Sequence, residues 1–340
     1  MRLRTITPPL PEELLELLEE CNIKTDAELL FSATPMEIYE RIAPCSITLA
    51  ELISEIKRIA AINAAPVIYG DALYEREKMR HYEDTDQEYT SGLSELDDLV
   101  GGFHVPGIIE ISGDRDTGKS ALALQVVVRH LSARADHSAL WIDTTGDLSI
   151  DRVIPILNAC DPLPGVDTAA TRLQLALAFD LDTIYQALEA AQAPGQSQPV
   201  KIIVIDSVTP IFRPLLSAIS AQGHAMMTVF MQYLRSFAET NSALILVVNG
   251  TSAMTPNDPT TLYSTRARKP ALGPSFTYLT DTTVWLSRAV IRGEDGIEGM
   301  PYHVAETLRS KVARSNTQCC FRIQNGVFCT AEDSSTEENE

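Results

Sequence analysis

The stretch GDRDTGKS at residues 113–120 constrains the fold more than any other feature of the chain. Its spacing fits G-x-x-x-x-G-K-[ST], the pattern of a loop that binds phosphate between a buried strand and a helix. The apolar run GIIEI precedes it, and KSALALQVVVRHL, which has helical apolar spacing, follows it. The alternative is a turn that contains Gly and Lys by chance, and the strand–loop–helix context favours the phosphate loop.

The residue types explain how this loop would hold a nucleotide. Two glycines permit backbone conformations that a Cβ would forbid, so that the loop N–H groups point inward in front of a helix N-terminus. Lys119 would place a charge on the β and γ phosphates, and the Ser120 hydroxyl would be a ligand of Mg²⁺. The predicted nucleotide-binding residues are Gly113, Asp114, Arg115, Asp116, Thr117, Gly118, Lys119 and Ser120.

Composition limits the other classes of function. The formal net charge of −19 means that the molecule as a whole repels nucleic acid and anionic membranes. A DNA contact must therefore come from a local patch or a basic partner. We expect no membrane segment and no signal peptide. The six cysteines form no C-x-x-C pair and no Cys/His metal spacing, which predicts reduced thiols in the cytosol or nucleus.

The pattern along the chain predicts a small helical domain, a linker, a large core and a tail. Several short leucine-rich segments near the N-terminus each follow a Ser or Thr cap candidate. Beyond them, buried apolar strands alternate with helices, which indicates an α/β fold with a mostly parallel central sheet. Near the C-terminus, two β-rich runs flank Asn325-Gly326, the preferred residues of a tight hairpin. The predicted parts are a helical domain at 1–65, a charged linker at 66–90, the core at 91–330 and an acidic, disordered tail at 331–340.

A second motif, KIIVIDSVTPIF, places Asp206 at the end of a buried strand. In phosphate-loop proteins a carboxylate at this point supports Mg²⁺ beside the first loop. The alternative is a strand-end Asp that caps a turn. With a phosphate loop earlier in the chain, we predict that Ser120 and Asp206 are the metal-site residues.

The order of these segments resembles the core of the RecA-like recombinases. TSGLSELDDLVGG leads to the phosphate loop, and DTTGDLSIDRV, IIVIDSVTPIFR, LILVVNG and KPALGPSFTYLTDTTVWL follow in the family's order. The chain is most similar to eukaryotic recombinase paralogues of the D type, through NIKTDAELL, GDALYE, DTTGDLS and KPALG. The helical N-terminal domain and KPALG argue against a hexameric helicase or a clock-type kinase.

The resemblance implies a RecA-like core that binds ATP and Mg²⁺ and acts in homologous recombination repair in the nucleus. It further implies other recombinase paralogues as partners, with the C type contacting the core and the X-ray-repair type contacting the N-terminal part. The resemblance also implies that the chain contacts single-stranded DNA as part of the assembled complex.

Two positions depart from the active members of the family. The Glu that activates the attacking water is replaced by Thr145, whose hydroxyl is too weak a base. Asp147 is a substitute only if its loop bends back. The residue after Asn249, usually a Gln that senses the γ-phosphate, is Gly250. No residue is therefore assigned as certainly catalytic: Asp206 has a supporting role, Thr145 marks the lost base and Asn249 marks the sensor strand.

Members of this family contact DNA through two loops, which correspond to residues 213–223 and 251–273 of this chain. Arg266, Arg268 and Lys269 cluster in the second loop, with Tyr263 placed to stack on a base. A solvated loop that balances an acidic body is the alternative.

The linker contains Tyr69-Gly70-Asp71-Ala72, which matches the aromatic-x-x-Ala segment that tethers recombinase protomers. The ring fills a pocket on the neighbouring core, and the strand extends the neighbour's sheet. Tyr69 and Ala72 are therefore candidate interface residues, although the tyrosines Tyr69 and Tyr74 could instead pack on their own helical domain.

Two functions remain open. The first is an assembly adaptor, or mediator, that binds ATP with weak or no hydrolysis. The second is an active DNA-dependent ATPase. Thr145 and Gly250 favour the first.

Overall fold

The structure is a computed structural model that describes residues 2–42, 47–64, 68–84, 89–160, 163, 165–193, 198–216, 222–253, 268–292 and 298–331. The chain divides into two compact units, Met1–Glu83 and Asp84–Glu340. The acidic tail predicted at 331–340 lies outside the described residues except for its first position.

The first unit is helical. It contains helices α1 (Glu12–Glu20), α2 (Asp26–Phe31), α3 (Pro35–Ile42), α4 (Leu49–Asn63) and α5 (Gly70–Asp84). Capping boxes start α2 and α4, in which Thr25 pairs with Glu28 and Thr48 pairs with Glu51. Leucine and isoleucine side chains from α1 to α4 form the core of this unit. The predicted Thr cap of α2 is confirmed, whereas the cap of α4 is Thr48, two positions after the Ser that opens the predicted segment. Much of the charged linker is the helix α5.

The second unit is built on a sheet of nine strands. The strands are β1 (Gly107–Gly113), β2 (Ser138–Asp143), β3 (Leu173–Leu177), β4 (Val200–Asp206), β5 (Leu244–Asn249), β8 (Thr282–Arg292), β9 (Glu298–Ser310), β10 (Thr317–Gln324) and β11 (Val327–Thr330). Their order is β11-β10-β9-β8-β1-β5-β4-β2-β3. The strands from β8 to β3 in this order pair in parallel, as the sequence predicts.

Helices cover both faces of the sheet, so the central strands are apolar throughout. Every residue of β1, β2 and β5 is buried, and separate apolar clusters fill the two faces. The helices are α6 (Ser94–Val100), α7 (Lys119–Ala133), α8 (Ile154–Cys160), α9 (Val166–Arg172), α10 (Leu181–Ala191), α11 (Thr209–Phe212), α12 (Gln222–Asn241) and α13 (Gly273–Leu279). Within the described part of the chain, none of them is long and apolar enough to cross a bilayer.

The C-terminal strands are antiparallel. β10 and β11 form the predicted hairpin, with positive φ at both Asn325 and Gly326. The long pair of β8 and β9 is not evident from the sequence, because EGMPYHVAETLRS lacks a simple apolar alternation.

A short ribbon of β6 (Thr251–Ala253) and β7 (Arg268–Pro270) follows β5. Its two strands pair antiparallel on either side of segment 254–267, which lies outside the described residues.

Candidate nucleotide-binding site

The phosphate loop joins β1 to α7 at the carboxyl edge of the parallel strands. A Cβ at Gly113 would lie 2.3 Å from the carbonyl oxygen of Leu286, and one at Gly118 would lie 2.4 Å from Cδ1 of Ile323. The φ of Gly118 is also +91°, in the left-handed region. Only glycine fits both positions without displacing a neighbour, and the loop N–H groups can then surround an anion.

The loop forms one wall of a cleft of about 710 Å³. This cleft lies at the carboxyl ends of the parallel strands, where open α/β sheets bind their ligands. The predicted loop residues that line it are Gly113, Arg115, Asp116, Gly118, Lys119 and Ser120. Of the other two, Thr117 is buried and its hydroxyl donates to the carbonyl oxygen of Asp114 at 2.9 Å.

Further cations line the same cleft. Besides Arg115 and Lys119, it is lined by Arg152, Arg213 and Arg268. Sequence reasoning missed Arg152 and Arg213 as site residues, because their distance from the loop along the chain conceals their proximity. The one available signal is that each follows the carboxyl end of a core strand. A cleft with this many cations fits a polyanion such as a nucleoside triphosphate.

The predicted metal-site residues meet in the cleft. Ser120 and Asp206 both line it, and the Ser120 hydroxyl is near enough to favour the ionised form of Asp206. Burial raises the pKa of Asp206 and the nearby Asp143 raises it further, which outweighs the opposing effects of Ser120 and Lys119. Burial also lowers the pKa of Lys119. A hydroxyl beside a carboxylate suits Mg²⁺, which takes few protein ligands and keeps waters and phosphate oxygens, so these residues fit the magnesium–nucleotide complex.

The loop after β2 is organised by Asp143. Its Oδ1 accepts hydrogen bonds from the N–H groups of Thr145 and Gly146 at 2.8 and 2.7 Å, and Oδ2 accepts one from the N–H of Leu148 at 3.0 Å. Burial alone would raise the pKa of Asp143, but these donors outweigh it and hold the pKa below its usual value. Both Thr145 and Asp147 line the cleft, so the loop does bring Asp147 to the site.

Asn249 is engaged inside the sheet. Its Nδ2 donates to Oε1 of Glu110 at 2.8 Å, and its Oδ1 accepts from the hydroxyl of Thr209 at 2.8 Å. The Thr209 hydroxyl in turn accepts from the N–H of Gly250 at 2.7 Å. Asn249 is fully buried. Its amide therefore fixes the end of β5, and Gly250 lines the cleft without a side chain.

The candidate DNA residues divide between two environments. Tyr263 and Arg266 lie outside the described residues. Arg268 forms an ion pair with Asp114 of the phosphate loop, with 2.9 Å between Nε and Oδ1. Lys269, the next residue on β7, is not among those that line the cleft. In the first candidate loop, Arg213 faces the nucleotide cleft.

The candidate tether is exposed. Tyr69 and Tyr74 are 78% and 65% exposed, so among the described residues neither ring is buried against its own helical domain. Tyr69 stands directly before α5, and Ala72 lies in the first turn of that helix. The segment is therefore helical here, whereas the expected tether is a strand.

Comparison with known proteins agrees with this architecture. The chain is 26% identical over 304 residues to the DNA repair protein RAD51 homolog 4 of Bos taurus, a match that covers 86% of each chain. It is 35% identical over 130 residues to the DNA repair and recombination protein RadB of Methanoculleus marisnigri, covering 36% of this chain and 53% of that protein.

Its fold is similar to the crystal structure of the RadB recombinase, with a TM-score of 0.56 and 20% identity. That match covers 72% of this chain and the whole of the RadB chain. The predicted RecA-like α/β fold with a mostly parallel sheet is confirmed.

The family model described as Rad51 matches residues 87–300. This range contains the phosphate loop, Asp206 and every other residue that lines the cleft. Since the match covers more than half of the chain, the chain belongs to the Rad51 family.

Proposed function

We propose that this chain is a D-type recombinase paralogue that binds ATP and acts as an assembly adaptor in homologous recombination repair in the nucleus. Support comes from its Rad51-family membership and from similarity over most of its length to a DNA repair protein, RAD51 homolog 4. On this proposal, ATP is a ligand that is held for a long time and hydrolysed weakly or not at all.

One observation carries the proposal. The cleft is lined by three residues suited to holding a nucleotide, Lys119, Ser120 and Asp206. It is also lined by Thr145, which cannot act as a general base, and by Gly250, which has no side chain to sense the γ-phosphate. Loss of a general base typically reduces a rate by a factor of roughly 100 to 10,000, whereas the phosphate cradle and its charges are unaffected. Such a site would bind ATP but hydrolyse it slowly.

Each group has a distinct task in holding the ligand. The loop N–H groups and Lys119 bind the phosphates, and Ser120 and Asp206 hold Mg²⁺ with its waters. Bound Mg²⁺ offsets the negative charge on the β and γ phosphates. A second cavity of about 470 Å³ shares Asp116, Gly118 and Arg152 with the cleft, and its apolar residues Ala121, Leu124, Ile156 and Ile323 make it suited to the base.

The adaptor role needs a surface on the core for a neighbouring paralogue. β3 is the edge strand of the nine-stranded sheet, and its free edge is a template for another strand. Leu175, Leu177 and Phe179 are 53%, 55% and 66% exposed along this segment. We assign this edge to the C-type paralogue and the N-terminal helical part to the X-ray-repair type.

The linker supplies the second contact. Tyr69 and Ala72 are exposed and available to a neighbouring core. To bind as a strand, the first turn of α5 would have to unwind on binding, and Gly70 at its start makes this inexpensive. Single-stranded DNA then contacts the complex through 251–273.

An active DNA-dependent ATPase is the second candidate, and the position of Asp147 favours it. This carboxylate lines the cleft together with Asp206, so an alternative base is present.

Single-turnover hydrolysis, measured on the isolated chain and on the chain with its paralogue partner, tests the proposal. We expect stoichiometric ATP binding with very slow hydrolysis in both samples. Asp147→Asn is the matched variant, and it should leave this slow rate unchanged. Recombinase-like turnover by the isolated chain, abolished by Asp147→Asn, would contradict the adaptor proposal and establish the ATPase.

A further inference from the structure

Asp114 of the phosphate loop is bonded to both strands of the β6–β7 ribbon. Its Oδ1 accepts a hydrogen bond from the hydroxyl of Thr251 on β6 at 2.7 Å. The same oxygen pairs with Nε of Arg268 on β7 at 2.9 Å. The ribbon brackets segment 254–267, so a single carboxylate connects the phosphate loop to both ends of that segment.

Arg268 is also placed to contact a ligand in the cleft. Its side chain is 51% exposed and lines the cleft together with Lys119 and Ser120. Within the described part of the chain, Arg268 pairs with Asp114 through Nε, and neither Nη1 nor Nη2 donates a hydrogen bond. A guanidinium that is paired through Nε still has its two Nη groups, which can donate hydrogen bonds to the oxygens of a phosphate group.

The neighbouring backbone leaves room for such a contact. Gly250 lines the cleft without a side chain, and its N–H is held by Thr209. Thr251, the next residue, also lines the cleft, and its hydroxyl donates a hydrogen bond to the Asp114 carboxylate. The polar side chains that join the ribbon to the cleft are thus Thr251, Asp114 and Arg268.

We infer that Arg268 binds the terminal phosphate of the nucleotide and that Asp114 is its positioning residue. This inference rests on the proposed ATP binding. Arg268 acts within the same chain and distinguishes a triphosphate from a diphosphate, because a diphosphate lacks the group that the guanidinium reaches.

Equilibrium titration of the full chain with Mg²⁺ and either ADP or a non-hydrolysable ATP analogue tests the inference. In Arg268→Gln, affinity for the analogue should fall about tenfold and affinity for ADP less than about twofold, as expected for one charge-assisted hydrogen bond. Arg314→Gln is the control, since it removes the same charge from the exposed turn between β9 and β10. It should alter neither affinity.

Asp114→Asn separates positioning from general electrostatics. Loss of this carboxylate should strengthen binding of ADP, whereas binding of the analogue should gain less or nothing, so that the preference for the analogue over ADP decreases. In an Arg268→Gln background, Asp114→Asn should leave that preference unchanged. An unaltered preference in Arg268→Gln would overturn the inference alone. Failure of the wild-type chain to bind either nucleotide would overturn the proposed ATP binding as well.

Discussion

The hydroxyl of Thr145 donates a hydrogen bond to the carboxylate of Asp143, with 3.1 Å between Oγ1 and Oδ1. The side chain at the position where the family resemblance predicts a general base is therefore held by its own loop. Because the loop conformation is fixed mainly by backbone N–H donors to Asp143, a different side chain at 145 can be accommodated.

Thr145→Glu restores a carboxylate at this position. We expect the single-turnover rate with partner to rise or to stay low, because the other groups that hold the nucleotide are intact. Thr145→Gln, which has the same shape without the charge, should not raise the rate. A clear decrease in Thr145→Glu would show that Thr145 itself contributes to turnover.

Lys119→Ala removes the ammonium group from the wall of the cleft. Affinity for an ATP analogue should fall at least about tenfold, since a hydrogen bond to a charged group contributes roughly 1.5–3 kcal/mol. Equilibrium titration measures this loss. The control is Lys57→Ala, an exposed position on α4 in the other unit. Unchanged binding in Lys119→Ala would refute the phosphate-loop assignment.

We expect Arg266 and Lys269, but not Arg268, to contribute to DNA binding. Changing Arg266 and Lys269 to Ala should weaken single-strand binding by the assembled complex and reduce its salt slope by about 0.7 for each lost contact. Arg268→Ala should leave the slope near the wild-type value, because its guanidinium is paired with Asp114. Titrations across a range of salt concentrations decide this, and equal effects of all three residues would restore Arg268 as a DNA contact.

Asp281 connects three elements and should make stability depend on pH. It accepts hydrogen bonds from Arg235 on α12, from Lys311 at 2.7 Å and from the N–H of Ile108 at 2.8 Å. Burial opposes ionisation, but these donors outweigh it and lower the pKa of Asp281 below its usual value. The stabilisation is therefore present at neutral pH and is lost as pH falls through the lowered pKa.

Asp281→Asn should reduce the free energy of unfolding by about 1.5–3 kcal/mol at pH 7. The gap between variant and wild type should close in acid, which urea titrations at several pH values would measure. Asp98→Asn, at an exposed position on α6, should have little effect. A gap that is constant down to the lowest pH would exclude the charge of Asp281 as its cause.

Tyr69→Ala tests the tether. Partner affinity should fall by about tenfold or more, as for an aromatic anchor residue, while the melting temperature of the isolated chain should not change because the ring is 78% exposed. Tyr74→Ala is the matched control, and pull-down titrations with the paralogue core provide the measurement. A loss of stability with unchanged partner affinity would assign Tyr69 to the fold of its own chain.

Local features of the chain were predictable because contiguous residues encode them. Strands such as SALWID, the Thr cap of α2 and the Asn325-Gly326 hairpin each depend on periodicity or backbone preference within a few residues. The phosphate loop and Asp206 also follow from short motifs, because the carboxyl ends of parallel strands meet at one edge of the sheet.

The sequence by itself therefore determined the RecA-like class, the position of the glycine-constrained loop at 113–120 and the absence of a carboxylate at position 145. Only the tertiary structure decided what Arg268 contacts. Its basic cluster indicated DNA, but the β6–β7 ribbon places it on Asp114. The same holds for Arg152 and Arg213, which join the cleft. Side chains far apart in sequence are brought together by sheet order and loop path, and no local pattern records that proximity.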